Sequence, residues 1–224
     1  MTIKIRLLAH ASIQIETDEN NIYIDPSTNN TGLKKDDFKP ADLILVTHEH
    51  KDHFDKGLIK KIRKMGSPVL AVKKLCKKMG KGIVCWDLNP GEHMQISNGV
   101  HVWAAAAYNV KRFRKPGVPF HPKGEGVGFL IKVEEKKIYH AGDTDLIPEM
   151  EKLEEVGSDV ALLPSGDTYT MDMNEAADAA SIIHPKIAIP MHMKGADPSK
   201  FKEKVEAAGI EAIILKEGEE FTLN

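Results

Sequence analysis

Leu43-Ile44-Leu45-Val46-Thr47-His48-Glu49-His50-Lys51-Asp52-His53-Phe54-Asp55 decides how this chain is read. Its first four residues are apolar, two of them β-branched, and read as a buried strand. Asp55 is an N-cap residue type, and after it Leu58, Ile59, Ile62 and Met65 recur at helical spacing among Lys56, Lys60, Lys61 and Lys64, so a helix begins where the histidines end. Three histidines and an aspartate therefore occupy a loop held between two rigid elements. Imidazole and carboxylate are ligands for divalent transition metals. His48 and His50, two apart, can turn to one side, which leaves Asp52 and His53 to address a second position, as in a two-metal centre with ions ~3.5–4 Å apart. A solvated polar loop with incidental histidines is the bland alternative; such a density of histidine directly after a buried strand speaks against it.

The pattern His-x-His-x-Asp-His after an apolar strand and a threonine resembles the signature of the metallo-β-lactamase superfamily. Ile24-Asp25-Pro26, Ala141-Gly142-Asp143-Thr144 and Ile189-Pro190-Met191-His192 extend the resemblance in the expected order, from about His10 to His192. Leu8-Ala9-His10-Ala11-Ser12, taken with Tyr139-His140 before Ala141, is most similar to the branch that includes the ascorbate-6-phosphate lactonase-like proteins. The resemblance implies an α/β fold of the αββα type, two mixed sheets flanked by helices, with metals at strand ends along one edge. It implies that Asp143 bridges two ions and that His192 completes a second site with Asp52, His53 and Asp143. It also implies that a histidine from the stretch after Tyr108 joins His48 and His50 in the first site. His121 is the only histidine there, although the usual motif places it nearer Tyr108-Asn109, so Asn109 or water is the alternative. Asp25 is expected to accept from the histidine loop and orient it, because a ligating histidine usually donates its other N–H to a carboxylate or carbonyl. His10, whose other reading is a satisfied core histidine, is drawn by the resemblance toward the pocket.

With 224 residues, 42% hydrophobic and 29% charged, the chain is long enough for one well-buried core and short for two, so a single domain over 1–224 is expected. A net charge of -2 and a pI near 6.6 argue against a protein held on nucleic acid by global charge. Cys76 and Cys85 form no CxxC, so neither a disulfide framework nor a thiolate zinc site is indicated, and both are expected buried and reduced. The first eight residues alternate as a strand rather than as a signal peptide, and no stretch approaches the apolar length of a membrane span. A cytoplasmic address is expected.

Residues 3–7, 12–16 and 21–24 read as a strand meander, and 68–72, 73–79 and 83–86 as strand, helix and parallel strand. Residues 92–96 and 100–104 read as a hairpin across Ser97-Asn98-Gly99, with His93 and His101 outside the site. The basic, aromatic, Pro- and Gly-rich stretch from Tyr108 to Gly128 reads as a long functional loop whose Lys111, Arg112, Arg114 and Lys115, placed beside the metals, would suit phosphate or carboxylate recognition. Beyond it come strands at 128–133, 137–140, 159–164, 186–190 and 210–215, and helices at 147–156, 175–183 and 199–208. The many lysines between Lys60 and Lys78 read as solvated helix faces.

The expected chemistry is hydrolysis, with hydroxide generated at a dinuclear site attacking a small anionic ester, lactone or phosphate ester. Asp52 would help hold the hydroxide, and His140, His10 and Asp167 are the candidates for proton transfer. The cofactor is two divalent ions, zinc by default, with manganese or iron suited to the same donors. A phosphodiesterase or nuclease acting on a nucleotide or nucleic acid is the alternative; a redox centre or a metal-stapled binding protein is weaker. The expected partner is a small anionic molecule, with no membrane.

Overall fold

The structure, a computed structural model, describes residues 2–96 and 99–224. They fall into two compact units, Met1–Asn89 with Lys216–Asn224, and Pro90–Leu215.

The first unit is built on one mixed sheet. Strands β1 (Ile3–Ala9), β2 (Ser12–Glu16) and β3 (Asn21–Ile24) form the antiparallel meander, and β4 (Leu43–Val46), β5 (Val69–Ala71) and β6 (Cys85–Asp87) continue it in parallel. Alternation decides the faces of β1: Ile3, Ile5 and Leu7 are buried, whereas Lys4 points to solvent. All four residues of β4 are buried, as a parallel strand covered on both faces requires. Helix α1 (Lys56–Ile62) starts on Asp55, whose side chain accepts the Leu58 backbone N–H at 2.9 Å, and it buries Leu58, Ile59 and Ile62. Met65 does not join that face. The chain turns extended at Arg63, and Met65 stands fully exposed.

Two features of this unit correct the sequence reading. Cys76, on helix α2 (Lys73–Met79), is disulfide-bonded to Cys85 of β6 with their Cα atoms 5.3 Å apart, and both are only half-buried. The pairing depends on α2 folding back over the strand that follows it, which spacing alone does not reveal. The other is a strand from the chain's end: β16 (Glu220–Leu223) pairs antiparallel with β1 at the edge of the sheet.

The second unit holds another mixed sheet of seven strands. β7 (His93–Gln95), β8 (His101–Ala107), β11 (Gly126–Val133) and β12 (Lys136–His140) run antiparallel. β13 (Val160–Pro164), β14 (Ile187–Met191) and the two-residue β15 (Glu211–Ala212) then add in parallel. The turn residues Ser97 and Asn98 lie outside the described residues. Helices α3 (Glu151–Val156), preceded by a single 3-10 turn, α4 (Met173–Ile183) and α5 (Ser199–Ala207) contribute Leu153, Ala176, Ala180, Phe201 and Val205 to a core shared with Leu130, Tyr139 and Leu163 of the sheet. Small alanines on α4 permit close approach to the strands. The basic stretch is not wholly loop: β9 (Phe113–Lys115) and β10 (Val118–Pro119) make a small ribbon, and β11 already begins at Gly126. Two mixed seven-stranded sheets with helices make this an α/β fold.

Candidate metal centre

In the first unit the donors hang from the loop between β4 and α1, and a buried carboxylate organises them. Asp25 follows β3 in a left-handed conformation (φ 51°) with no exposed surface. Its Oδ1 accepts the Thr47 backbone N–H at 2.7 Å, and its Oδ2 accepts the Thr47 hydroxyl at 2.6 Å and His53 Nδ1 at 2.7 Å. These contacts fix two tautomers. His53 spends its Nδ1 proton on Asp25, and Thr47, whose own proton goes to Asp25, can only accept from His48 Nδ1, 3.0 Å away. In both rings Nε2 is thereby the lone-pair nitrogen. His48 Nε2 lies 3.1 Å from His50 Nδ1, so the two residues read as one-sided do present nitrogens to a common point.

His53 Nε2 is 3.8 Å from Asp52 Oδ2, and that same oxygen is 3.3 Å from His10 Nε2. One ligand atom from each of His10, Asp52 and His53 lies within 4.8 Å of the others. His10 sits in the tight β1–β2 turn with φ 53°, its backbone N–H held by Glu217 Oε1 at 2.9 Å. A histidine kept at positive φ beside a carboxylate is strained backbone at a chemically competent position. Glu49, between His48 and His50, points to α2, where the Lys78 ammonium holds its carboxyl below the usual carboxylate range.

The second unit repeats this logic with an amide. Asn109 Oδ1 accepts from the His121 backbone N–H at 2.8 Å and faces His121 Nδ1 at 2.9 Å, while Asn109 Nδ2 donates to Asp145 and to the Tyr169 carbonyl. The amide orientation is fixed by those two acceptors, so His121 donates from Nδ1 and keeps its lone pair on Nε2. Asn109 therefore orients His121, with the imidazole left as the donor. His121 Nε2 lies 3.1 Å from Asp143 Oδ2, and His192 Nε2 lies 3.3 Å from the same oxygen. One carboxylate oxygen between two imidazole nitrogens is the arrangement a bridging ligand needs. His192 is buried with φ 55°, and Gly166 makes room for it: a Cβ on Gly166 would stand 2.3 Å from the His192 carbonyl oxygen.

Other expected residues have different neighbours. His140 is fully buried, and its Nδ1 accepts the Gly142 backbone N–H at 3.1 Å, which pins the turn leading to Asp143. Asp167 is three-quarters exposed and paired with Arg112. Lys111 and Arg112 are tied within their own unit, Lys111 to Glu175 at 2.6 Å and Arg112 to Glu175, Asp145 and Asp167. Burial pushes the Glu175 carboxyl up, but hydrogen bonds from Arg112 and Lys111 outweigh it and hold it at about 2.

Sequence reasoning missed Asp145. Fully buried, it accepts the backbone N–H groups of Val110, Lys111 and Arg112 at 2.7, 2.6 and 3.2 Å, a carboxylate in a nest of amides that shapes the loop carrying Asn109. Its only signal was an acidic residue two positions after Asp143.

These donor sets fit divalent transition metals: neutral imidazoles with Nδ1 engaged, and carboxylates beside their Nε2 atoms. A family model described as the β-lactamase superfamily domain matches residues 4–192. A UPF0173 metal-dependent hydrolase of Pyrococcus abyssi is 36% identical, the match covering 99% of this chain and all of that protein. One from Methanopyrus kandleri is 33% identical, covering 98% of this chain and 99% of that protein. Among solved structures, Igni18, a metallo hydrolase from Ignicoccus hospitalis, is 29% identical with a TM-score of 0.81 and covers 100% of this chain and 99% of its own. The chain belongs to the metallo-β-lactamase superfamily and, within it, to the UPF0173 metal-dependent hydrolases. Among the described residues no helix is long and apolar enough to cross a membrane.

Proposed function

We propose that the chain hydrolyses a small anionic ester, lactone or phosphate ester, with His48, His50 and His121 serving one divalent ion, Asp52, His53 and His192 a second, and Asp143 both. The observation that supports this best is the orientation of the imidazoles. His48, His53 and His121 each have Nδ1 committed to a polar partner, so each holds Nε2 ready as a ligand without reorganisation. Bound zinc, manganese or iron would supply Lewis acidity and a water of pKa near ~7.

The chain's own residues handle the protons. Asp52 Oδ2, on a partly exposed side chain, is placed to take a proton from the attacking water, and His10 Nε2 at 3.3 Å is placed to receive it and pass it toward the leaving group. His140 then supports the Asp143 turn. The nuclease alternative finds less support in the basic helices, because Lys61, Lys64, Lys74 and Lys78 are paired with Asp36, Asp42 and Glu49.

The test is a substrate panel of lactones, phosphate monoesters, phosphodiesters and single-stranded nucleic acid, run on metal-reconstituted protein and on Asp52→Asn. Turnover of a small ester or lactone, reduced by ~10²–10⁴ in the variant, is expected. Activity confined to nucleic acid would replace this reading with the alternative.

A further inference from the structure

Glu49 stands between two histidines that present their nitrogens together, and α2 holds it from the other side. Lys78 donates to Glu49 Oε2, and Lys74 lies 3.4 Å from Oε1. The two lysines are four apart and so share a face of α2. A contact that fixes residue 49 fixes the backbone from which both neighbouring rings hang.

A single exposed ion pair stabilises little, because ordering two long side chains offsets the attraction. Here the ordering is done in advance by the way α2 is fastened. Seven residues are well short of the ~12–15 at which an isolated helix becomes even marginal, so α2 depends on its attachments. There are two. Lys56 Nζ donates to the Lys78 carbonyl at 2.8 Å, and Cys76, between the two lysines in sequence, is covalently bound to Cys85 of the edge strand β6.

We propose that the Cys76–Cys85 disulfide and Glu49 form a redox-responsive clamp on the His48/His50 pair, with Glu49 as a positioning residue. While the disulfide is intact, α2 presents Lys74 and Lys78 rigidly and the loop is preset for metal. Reduction consumes two electrons and two protons, supplied by a dithiol that itself becomes a disulfide, and leaves two thiols; α2 then loosens and the donor pair holds metal less tightly. Both sulfurs belong to half-buried residues within reach of a reductant. The inference rests on His48 and His50 being metal ligands.

The test begins with thiol counting in denaturant on protein purified in air: no free thiol before a phosphine reductant and two after it are expected, and two free thiols at the outset would overturn the clamp. Zinc affinity is then measured against a chromophoric chelator for the oxidised and phosphine-reduced wild type, Glu49→Gln, Cys76→Ser/Cys85→Ser, and the charge swap Glu49→Lys/Lys78→Glu. Reduction should weaken zinc binding about three- to tenfold, less than the ~10–100-fold typical of a partner touching the ligand itself. The serine variant, which cannot bind zinc through released thiols, should match the reduced protein. Glu49→Gln should bind weakly in both redox states, and the swap should recover part of the affinity together with the wild-type absorption spectrum of the cobalt-loaded protein. Equal affinity in the oxidised wild type and the serine variant, or an undiminished redox response in Glu49→Gln, would overturn the clamp alone. Absence of zinc binding in every form would instead overturn the metal reading on which it rests.

Discussion

Asp25 shows how much of the site one residue can organise. It is fully buried and satisfies a backbone amide, a hydroxyl and an imidazole at once, so Asp25→Ala leaves three buried donors stranded. The variant is expected to lose ~2–4 kcal/mol of stability in urea melts and to bind metal ~10–100-fold more weakly. Gly166→Ala acts through space. Its Cβ meets the backbone oxygen of His192, which cannot swing aside as a flexible side chain would, so His192 must move. A stable fold with reduced metal content by elemental analysis is the expected outcome; full metal content would show that His192 is not required to stay where it is. The histidines and aspartates of the loop were legible in sequence because their chemistry is local and dense. Asp145 and Gly166 were not, and Asn109 was legible only as an alternative ligand, because each owes its role to a partner brought near by folding: the amides at 110–112 some 33 to 35 residues back for Asp145, His192 on the neighbouring strand end for Gly166, and His121 twelve residues on for Asn109.

At the scale of elements, α4 carries a pH-dependent attachment. Glu175 closes the capping box with Asp172 and also receives Arg112 and Lys111 from the basic stretch. Its folded pKa, about 2 against an ordinary 4.5, is depressed, so its contribution is fully present above the unfolded value and is lost as pH falls from 4.5 toward 2. Thermal melts of wild type and Glu175→Gln should differ by a constant margin above about pH 5.5 and converge through that acid window; a margin unchanged at pH 2.5 would show that the ion pairs contribute nothing. Strands and helices with a clear period were read correctly from sequence, as at 43–46 and 73–79, and the strand expected at 186–190 lies one residue further on, at Ile187–Met191. β16 and the β9–β10 ribbon were not. Their residues alternate too briefly, and what makes them strands is a partner, the open edge of β1 in one case and each other in the second. The disulfide belongs to the same class, a pairing created by the return of β6 beneath α2.

For the whole molecule, the order of motifs along the chain carried the superfamily, and the family match over 4–192 agrees with it. Composition pointed to one domain; the described residues cluster into two compact units, with His48, His50, Asp52 and His53 in one and His121, Asp143 and His192 in the other. Metal stoichiometry addresses the central claim, that these histidines and aspartates hold two divalent ions for hydrolysis. Elemental analysis of protein purified without added metal, wild type beside His121→Ala, should give about two ions per chain in the wild type and about one in the variant. No metal in the wild type, even after incubation with zinc or manganese, would contradict it.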